Sequence, residues 1–595
     1  MRFAYAFAAA LAAVSFSAGA ADSAKVLRTA FQIAESSFDP VLAWDAASNS
    51  VVEHISESML EYEYLARPVK LAPLTLERMP EVSNNGATYL CRVRKGIFFA
   101  ADPAFKGKPR ELTAGDYAYS MKRLLDPALK SPWTWLMEGK LVGGDELLAA
   151  AKKTGKLDYD APVAGLEIVD RYTLRIRLKQ PDYTFLYVLA MPATAAVARE
   201  VIEAYGIDSG AHPVGTGPYL LREYQRSHRI VLEANPGYRK VVFDEAIPAN
   251  ADDAAIARSL KGKQLPLIGR IEIAIIEEDQ PRWLAFLKRE LDYLQPFPRD
   301  FLGELLDKGK LRPELAAKGI RHELLLRPNA WWEYFNMEDP VVGGYTPEKI
   351  ALRRAISMSF NVEEFIRVIY HGRAVPAQGP VPPDIAGYDP AHKTQAQVYD
   401  PAAARALLDR FGYKDRDGDG YRELPDGKPL VIERWSTPSL RDKELDELWR
   451  KNMDAIGIRM QVDQKTFAEL VNMSRAGKLM MFNLGYRSLQ PSGYQILQTL
   501  WSRSPPDTSP SRFSNPDYDA AYEQFLRTPA GPERVKLVRK MSDISQAYVP
   551  IVVHTFGVGN TLLYPWVQGY WPSPFGFSWK YLDLDVAKRK AAGKQ

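Results

Sequence analysis

The stretch His212-Pro213-Val214-Gly215-Thr216-Gly217-Pro218-Tyr219 decides how this chain is read, together with its continuation through Arg229-Ile230-Val231-Leu232-Glu233-Ala234-Asn235-Pro236-Gly237-Tyr238. Glycine and proline at this density mark a tight turn: Gly215 and Gly217 are free to take φ > 0, and Pro218 fixes the exit. Beyond the turn, Ile230, Leu232 and Ala234 alternate with Arg229, Val231 and Glu233, which is the period of a strand. The block therefore predicts a turn that feeds a β-meander.

Outward from this block, strand and helix signals alternate. On the N-terminal side, Val26–Phe31 reads as a strand closed by a turn at Phe38-Asp39-Pro40. Asp45, Ser48 and Asn49 open a helix through Val52, Ile55, Met59 and Leu60. Thr88–Gly96 alternates as a strand, and Thr113-Ala114-Gly115-Asp116 is a capping box for a helix carrying Tyr117, Met121, Leu124 and Leu125. On the C-terminal side, Ile271, Ile273 and Ile275 trace a half-buried strand. Thr346-Pro347-Glu348 and Asp400-Pro401 are helix starts, Leu445, Leu448, Trp449, Asn452 and Ile456 trace a helix face, and Tyr548–Thr555 is an apolar strand. The class is α/β.

With 595 residues the chain exceeds one ordinary core, so several compact units are expected. Hydrophobic residues make up 46% and charged residues 25%, values of a globular chain, and 77 basic against 73 acidic residues leave only +4 with no basic run. Nucleic-acid binding has no electrostatic footprint here. Arg2 precedes an apolar run, Phe3 to Phe16, and Ala18-Gly19-Ala20 supplies small residues for cleavage before Ala21, so residues 1–20 are expected to be a secretory signal peptide. Cys91 is the sole cysteine, which leaves neither a disulfide nor an N-terminal lipid-modified cysteine to the mature chain. The expected location is the periplasm, unanchored.

The 212–238 block, the capping-box segment, Asn329–Met337 and the helix from Thr346 together resemble the family 5 (peptide/nickel-type) extracellular solute-binding proteins of ABC importers. The resemblance implies a class II (cluster C) periplasmic binding protein: two lobes joined by a hinge, with an extra subdomain in lobe I. On that pattern lobe I takes residues 21–62, 165–328 and 553–595, with strands at Leu166–Val169 and Thr173–Leu178. The peripheral subdomain takes 63–164, and lobe II 329–552. It implies a monomer that captures a small-molecule or peptide-like ligand between the lobes and delivers it to an inner-membrane permease. No cofactor is implied. A haem- or metal-complex scavenger or a chaperone on the same scaffold is the alternative.

Catalytic motifs of the G-x-S-x-G, H-E-x-x-H, P-loop and C-x-x-C types are absent, and His54, His212, His228, His322, His371, His392 and His554 show no metal-ligand spacing. Asp415, Asp417 and Asp419 with Gly420 and Asp426 match a calcium loop superficially, and equally a plain turn. The resemblance places Trp44 and Asp45 beside the cleft, although Trp44 can equally be a packing residue. It adds Tyr334, Asn336, Arg434, Trp435, Ser488, Gln490 and His554 as candidates. Gln464 stands near a position where peptide binders stack a Trp. Aligned on Pro491, Arg487 occupies the position of the Asp that receives a peptide ammonium, with Tyr486 at an Ala and Gln490 at an acidic residue. A guanidinium there would repel an ammonium and offer a two-pronged donor to a carboxylate, sulfonate or phosphate. Pairing of Arg487 with a neighbouring protein acid is the alternative.

Overall fold

Ile230, Leu232, Ile271 and Ile273 are all fully buried, which is why the alternation around them closes into a sheet with one face in a core. Tyr219–Gln225 and Arg229–Ala234 form the expected hairpin. Arg229–Ala234 then pairs antiparallel with Ile268–Ile275, which pairs parallel with Asp22–Phe31. The computed structural model describes residues 21–298, 301–307, 310–372, 374–377, 379–392, 395–576 and 579–593. The expected signal peptide lies outside them. Among the described residues no helix is long and apolar enough to cross a membrane.

The turn at 212–219 works differently from its sequence reading. Neither Gly215 nor Gly217 has a positive φ. What glycine permits is close approach: a Cβ on Gly215 would lie 1.9 Å from the Ile55 carbonyl oxygen, and one on Gly217 2.5 Å from that of His54. The Gly217 N–H donates to Ile55 O at 2.8 Å, so the turn seats the C-terminal end of the helix Ala46–Ile55. That helix stops at Ile55, and Leu60 already begins a short strand, Leu60–Tyr62. Thr216 Oγ1 donates to Glu57 Oε2 at 2.9 Å, and Arg239 holds the same carboxylate at 2.6 Å. Asn235 Nδ2 donates to Gly217 O at 3.0 Å, and the buried Tyr219 hydroxyl donates to Ile268 O at 3.1 Å. The block clamps helix to sheet.

A second antiparallel sheet takes the order Glu81–Ser83, Thr88–Arg92, Thr173–Arg177, Leu166–Asp170. Its core contains Tyr89, Cys91, Leu174 and Ile176, covered by Tyr117 and Met121 from the helix Ala114–Arg123. The Thr113/Asp116 capping box is present. Alternation identified the strands at 166–178, but their pairing, Thr173–Arg177 with Thr88–Arg92 and with Leu166–Asp170, rests on the Tyr89, Cys91, Leu174 and Ile176 faces, which bury one another.

The largest sheet is mixed. Its order is Tyr293–Leu294, Ile551–Leu563, Arg321–Phe335, Met481–Arg487, Val431–Ser436, Arg459–Gln464, with Val375–Pro376 also on Ile551–Leu563. Arg321–Phe335 and Ile551–Leu563 are 15 and 13 residues long and run antiparallel from one core into another. At one end Leu562 and Leu563 pack with Trp283, Phe286 and Tyr564; at the other Trp332, Tyr334, Ile551 and Val553 pack with Tyr518 and Phe525. The ladder shifts register between Leu326 and Ala330, where Pro328 cannot donate and Asn329 Oδ1 accepts the Gly557 N–H at 3.0 Å. Helices Pro347–Ser359 and Pro401–Arg410 lie where their start signals predict, Leu440–Asp454 carries the predicted apolar face, and the three bury Leu352, Leu408, Leu445 and Trp449. The result is a two-domain α/β fold.

Buried His54 ties the two ends of the chain. Its Nδ1 lies 2.7 Å from Ser50 O, and Nε2 accepts the Lys580 N–H at 3.3 Å, which fixes the neutral ring. Burial pushes its pKa to about 4, against the opposing hydrogen bond to Ser50. An unfolded His titrates near 6.5, so below that pH the unfolded chain binds a proton that the folded chain refuses. Stability is full above pH 6.5 and falls towards pH 4, by about 3 kcal/mol from this group. Urea melts at pH 7.5 and pH 4.5 should show a smaller acid loss in His54→Gln than in wild type.

Candidate functional site

A cleft of about 300 Å³ opens where the first domain faces the crossing strands. One wall comes from the strand end Thr29–Ile33, from Trp44 and Asn49 at the start of the helix Ala46–Ile55, and from Tyr570, Trp571 and Trp579 near the C-terminus. The facing wall is Leu325, Arg327 and Pro328 on the crossing strand, with Ser488 and Leu489 just after Met481–Arg487. Aromatic rings dominate the first wall. Trp579 stacks on Phe31 with ring centroids 6.2 Å apart, Arg67 lies 4.4 Å over Trp571, and Trp44 is 65% exposed. Such a surface suits the flat or apolar body of an organic solute, and backbone and hydroxyl groups supply directional contacts.

Of the nominated residues, Trp44 and Ser488 line this cleft. Asp45 beside Trp44 is buried as the helix N-cap: its carboxylate accepts the Ser48 N–H at 2.7 Å and the Ser48 and Ser36 hydroxyls at 2.6 and 2.5 Å. Buried Gln490 receives the Ser492 hydroxyl at 3.4 Å, and its carbonyl accepts Ser488 Oγ at 2.9 Å. Tyr486 and Arg487 have their backbone in register with Ala330 and Asn329, one step from cleft-lining Pro328. Their side chains lie outside the described residues.

The remaining candidates belong to the second domain, and all but Gln464 are at least partly buried there. Tyr334 donates to Ser474 Oγ at 2.7 Å, and Asn336 Nδ2 donates to Gly477 O at 2.9 Å. Arg434 is fully buried: Nη2 donates to Glu333 Oε1 at 2.9 Å and Nη1 to Asp446. Exposed Gln464 reaches Ser436 Oγ and Asp446 Oδ2, each at 3.4 Å, and half-buried Trp435 packs on the aromatic core. His554 is fully buried against Phe360, with ring centroids 4.2 Å apart, and sits 3.8 Å from Glu333. Burial pushes its pKa down although Glu333 pulls it up. Burial would raise the Glu333 carboxyl, but Arg434 and His554 hold it at about 2. The sequence marked these residues by type and position on the strands. It could not show that their polar groups face one another rather than the cleft.

Arg327 escaped the sequence reading. It is half-buried in the cleft wall, and among the described residues it makes no hydrogen bond or ion pair. Its signal in the sequence was a lone cation in Leu324–Pro328, a run otherwise apolar. The Asp415, Asp417 and Asp419 carboxylates come within 4.8 Å of one another at the surface. Asp415 caps the N–H groups of Gly418 and Gly420 at 2.7 and 3.0 Å, and Asp419 pairs with Arg459. The loop engages its own acids.

Two α/β domains that share long strands and enclose an aromatic cleft have the architecture of a two-domain binding fold. The family description "Bacterial extracellular solute-binding proteins, family 5 Middle" matches residues 70–508, and this chain belongs to that family, the periplasmic substrate-binding subunits of ABC importers. It is 25% identical over 558 residues to the glutathione-binding protein GsiB of Salmonella typhimurium (strain LT2), covering 92% of each chain. It is 24% identical over 553 residues to heme-binding protein A of Haemophilus influenzae, covering 91% of this chain and 88% of the other. The structure of HbpA2 from Haemophilus parasuis superposes with a TM-score of 0.73 at 20% identity, covering 94% of this chain and all, 100%, of that one.

Removing Arg434 leaves Glu333 and Asp446 charged, buried and uncompensated. Arg434→Ala should lower the unfolding free energy by roughly 3–5 kcal/mol, the cost of breaking one partner of a buried pair. Denaturant melts measure this. A ligand-binding role would instead appear as lost affinity at unchanged stability.

Proposed function

We propose that the protein is the periplasmic receptor of an importer for a small or medium organic solute, peptide-like or amino-acid-derived and carrying an anionic group. The cleft carries this reading: its walls come from the first domain on one side and from the crossing strand and residues 488–489 on the other. A ligand that touches both walls binds best when they approach, so it shifts the equilibrium towards a closed form that a permease can recognise. The register break at Leu326–Ala330 supports a class II hinge there, because Pro328 and Gly557 remove ladder hydrogen bonds and side-chain packing where the two strands would bend. The second sheet, with its own core, supports a peripheral subdomain of lobe I that extends beyond residue 164 to about residue 201. Secretion follows from the leader before Ala21.

The anionic group is assigned to the strand end at Arg487, where the resembled peptide binders hold an ammonium. The names of the relatives support an organic ligand, glutathione in one and haem in another.

Mass spectrometry of the compound released from the purified protein by mild denaturation tests the function directly. An anionic amino-acid derivative is expected, and a haem or a metal complex would replace this reading. Adding the compound back should raise the melting temperature and reduce the radius of gyration in small-angle scattering. A stabilising ligand that leaves the radius unchanged would refute closure. In calorimetry with the same compound, Arg487→Ala should weaken binding by roughly 2–5 kcal/mol, mostly through faster dissociation, and Arg487→Lys should recover part of it.

A further inference from the structure

Several enclosed arginines of this protein come with acids. Arg123 lies 2.6 Å from Asp39, Arg239 2.6 Å from Glu57, and Arg434 2.9 Å from Glu333. Arg327 does not. It lines the cleft with no hydrogen-bond or salt-bridge partner among the described residues. Burial pushes its guanidinium down, against a smaller opposing charge effect from Tyr570, another lining residue. A guanidinium stays protonated in proteins, so a cation is held part-desolvated at the cleft surface.

The backbone beneath it is shaped for this. Gly559 lies on the paired strand, opposite Leu325, and a Cβ there would come within 2.7 Å of Arg327 Nε. The missing side chain lets the arginine lie along the sheet. Glu53 is the acidic residue among the described lining residues, and the rest of the wall is aromatic, apolar or uncharged. From this geometry we infer that Arg327 is a ligand-binding residue that takes a carboxylate of the solute on its planar fork, which sets the anion preference of the cleft. A single planar cation matches a singly charged planar carboxylate in shape and charge. The inference rests on the cleft being the ligand site, as proposed above, and it is separate from the assignment at Arg487.

Reduced glutathione and its diethyl ester are the probes, titrated by calorimetry into wild type, R327A, R327K and G559A. The acid should bind wild type more tightly than the ester, and R327A should lose about 30-fold or more in affinity for the acid while the ester is unaffected. R327K should recover part of the loss, and G559A should weaken acid binding by displacing the guanidinium. Equal acid affinity in wild type and R327A overturns the inference. Since no acid pairs with Arg327 among the described residues, R327A should leave the urea midpoint of the ligand-free protein unchanged or higher, and a fall would make the residue structural. Should wild type bind neither probe, the peptide-like ligand class fails, and Arg327 is read separately by quenching of tryptophan fluorescence. Iodide quenching should then drop by about half in R327A with acrylamide quenching unchanged, because a cation in a low-dielectric cleft concentrates anions. Equal iodide quenching in the two proteins overturns the anion role.

Discussion

Arg321–Phe335 and Ile551–Leu563 pair along nearly their whole length, and the rest of the architecture is arranged around that ladder. One end packs into the core built on Trp283, Phe286 and Tyr564; the other enters the core built on Tyr518 and Phe525. A ladder shared by two cores couples the domains without fusing them. The coupling is weakest between Leu326 and Ala330, where the register shifts and a side-chain amide takes over a backbone contact. The cleft lies against this interruption, so the residues that line it, Leu325, Arg327 and Pro328, sit where the ladder is least regular.

Charge is distributed along the crossing strand according to whether a partner is present. Deep in the second domain, Glu333 is neutralised by Arg434 and held ionised, which is tolerable only because the pair is enclosed with Asp446 and bounded by Trp449 and His554. Six residues earlier on the same strand, Arg327 has no such arrangement and borders the cleft instead. A matched pair is structure. An unmatched charge facing a cavity is a binding element awaiting its counter-ion.

The segment that made the family legible has no part in the cleft. Gly215 and Gly217 are small because the carbonyls of Ile55 and His54 press against them, and Thr216, Asn235 and Arg239 fasten the same corner. A close helix–turn–sheet contact demands the same residues whatever solute is bound, which is why it signals fold and family but says nothing of the ligand.

Alternation and capping signals sufficed to place the 219–234 hairpin, the strand Ile268–Ile275, the capped helix from Thr113 and the helices of the second domain, because each depends on neighbours within a few residues. The pairing of Leu166–Asp170 and Thr173–Arg177 with Thr88–Arg92 could not be read in that way, since a strand's partner is set by which distant apolar face it buries. The same limit applied at the site. By residue type Asp45, Arg434 and His554 resembled ligand contacts, whereas Arg327 did not stand out. Folding placed an acid beside Arg434, a helix N-terminus above Asp45 and aromatic rings around His554, and left Arg327 facing the cleft. The sequence alone determined the family, the α/β elements and the crossing strands. Only the tertiary structure decided which charges are neutralised, because a partner such as Glu333, which faces buried Arg434, lies 101 residues away along the chain.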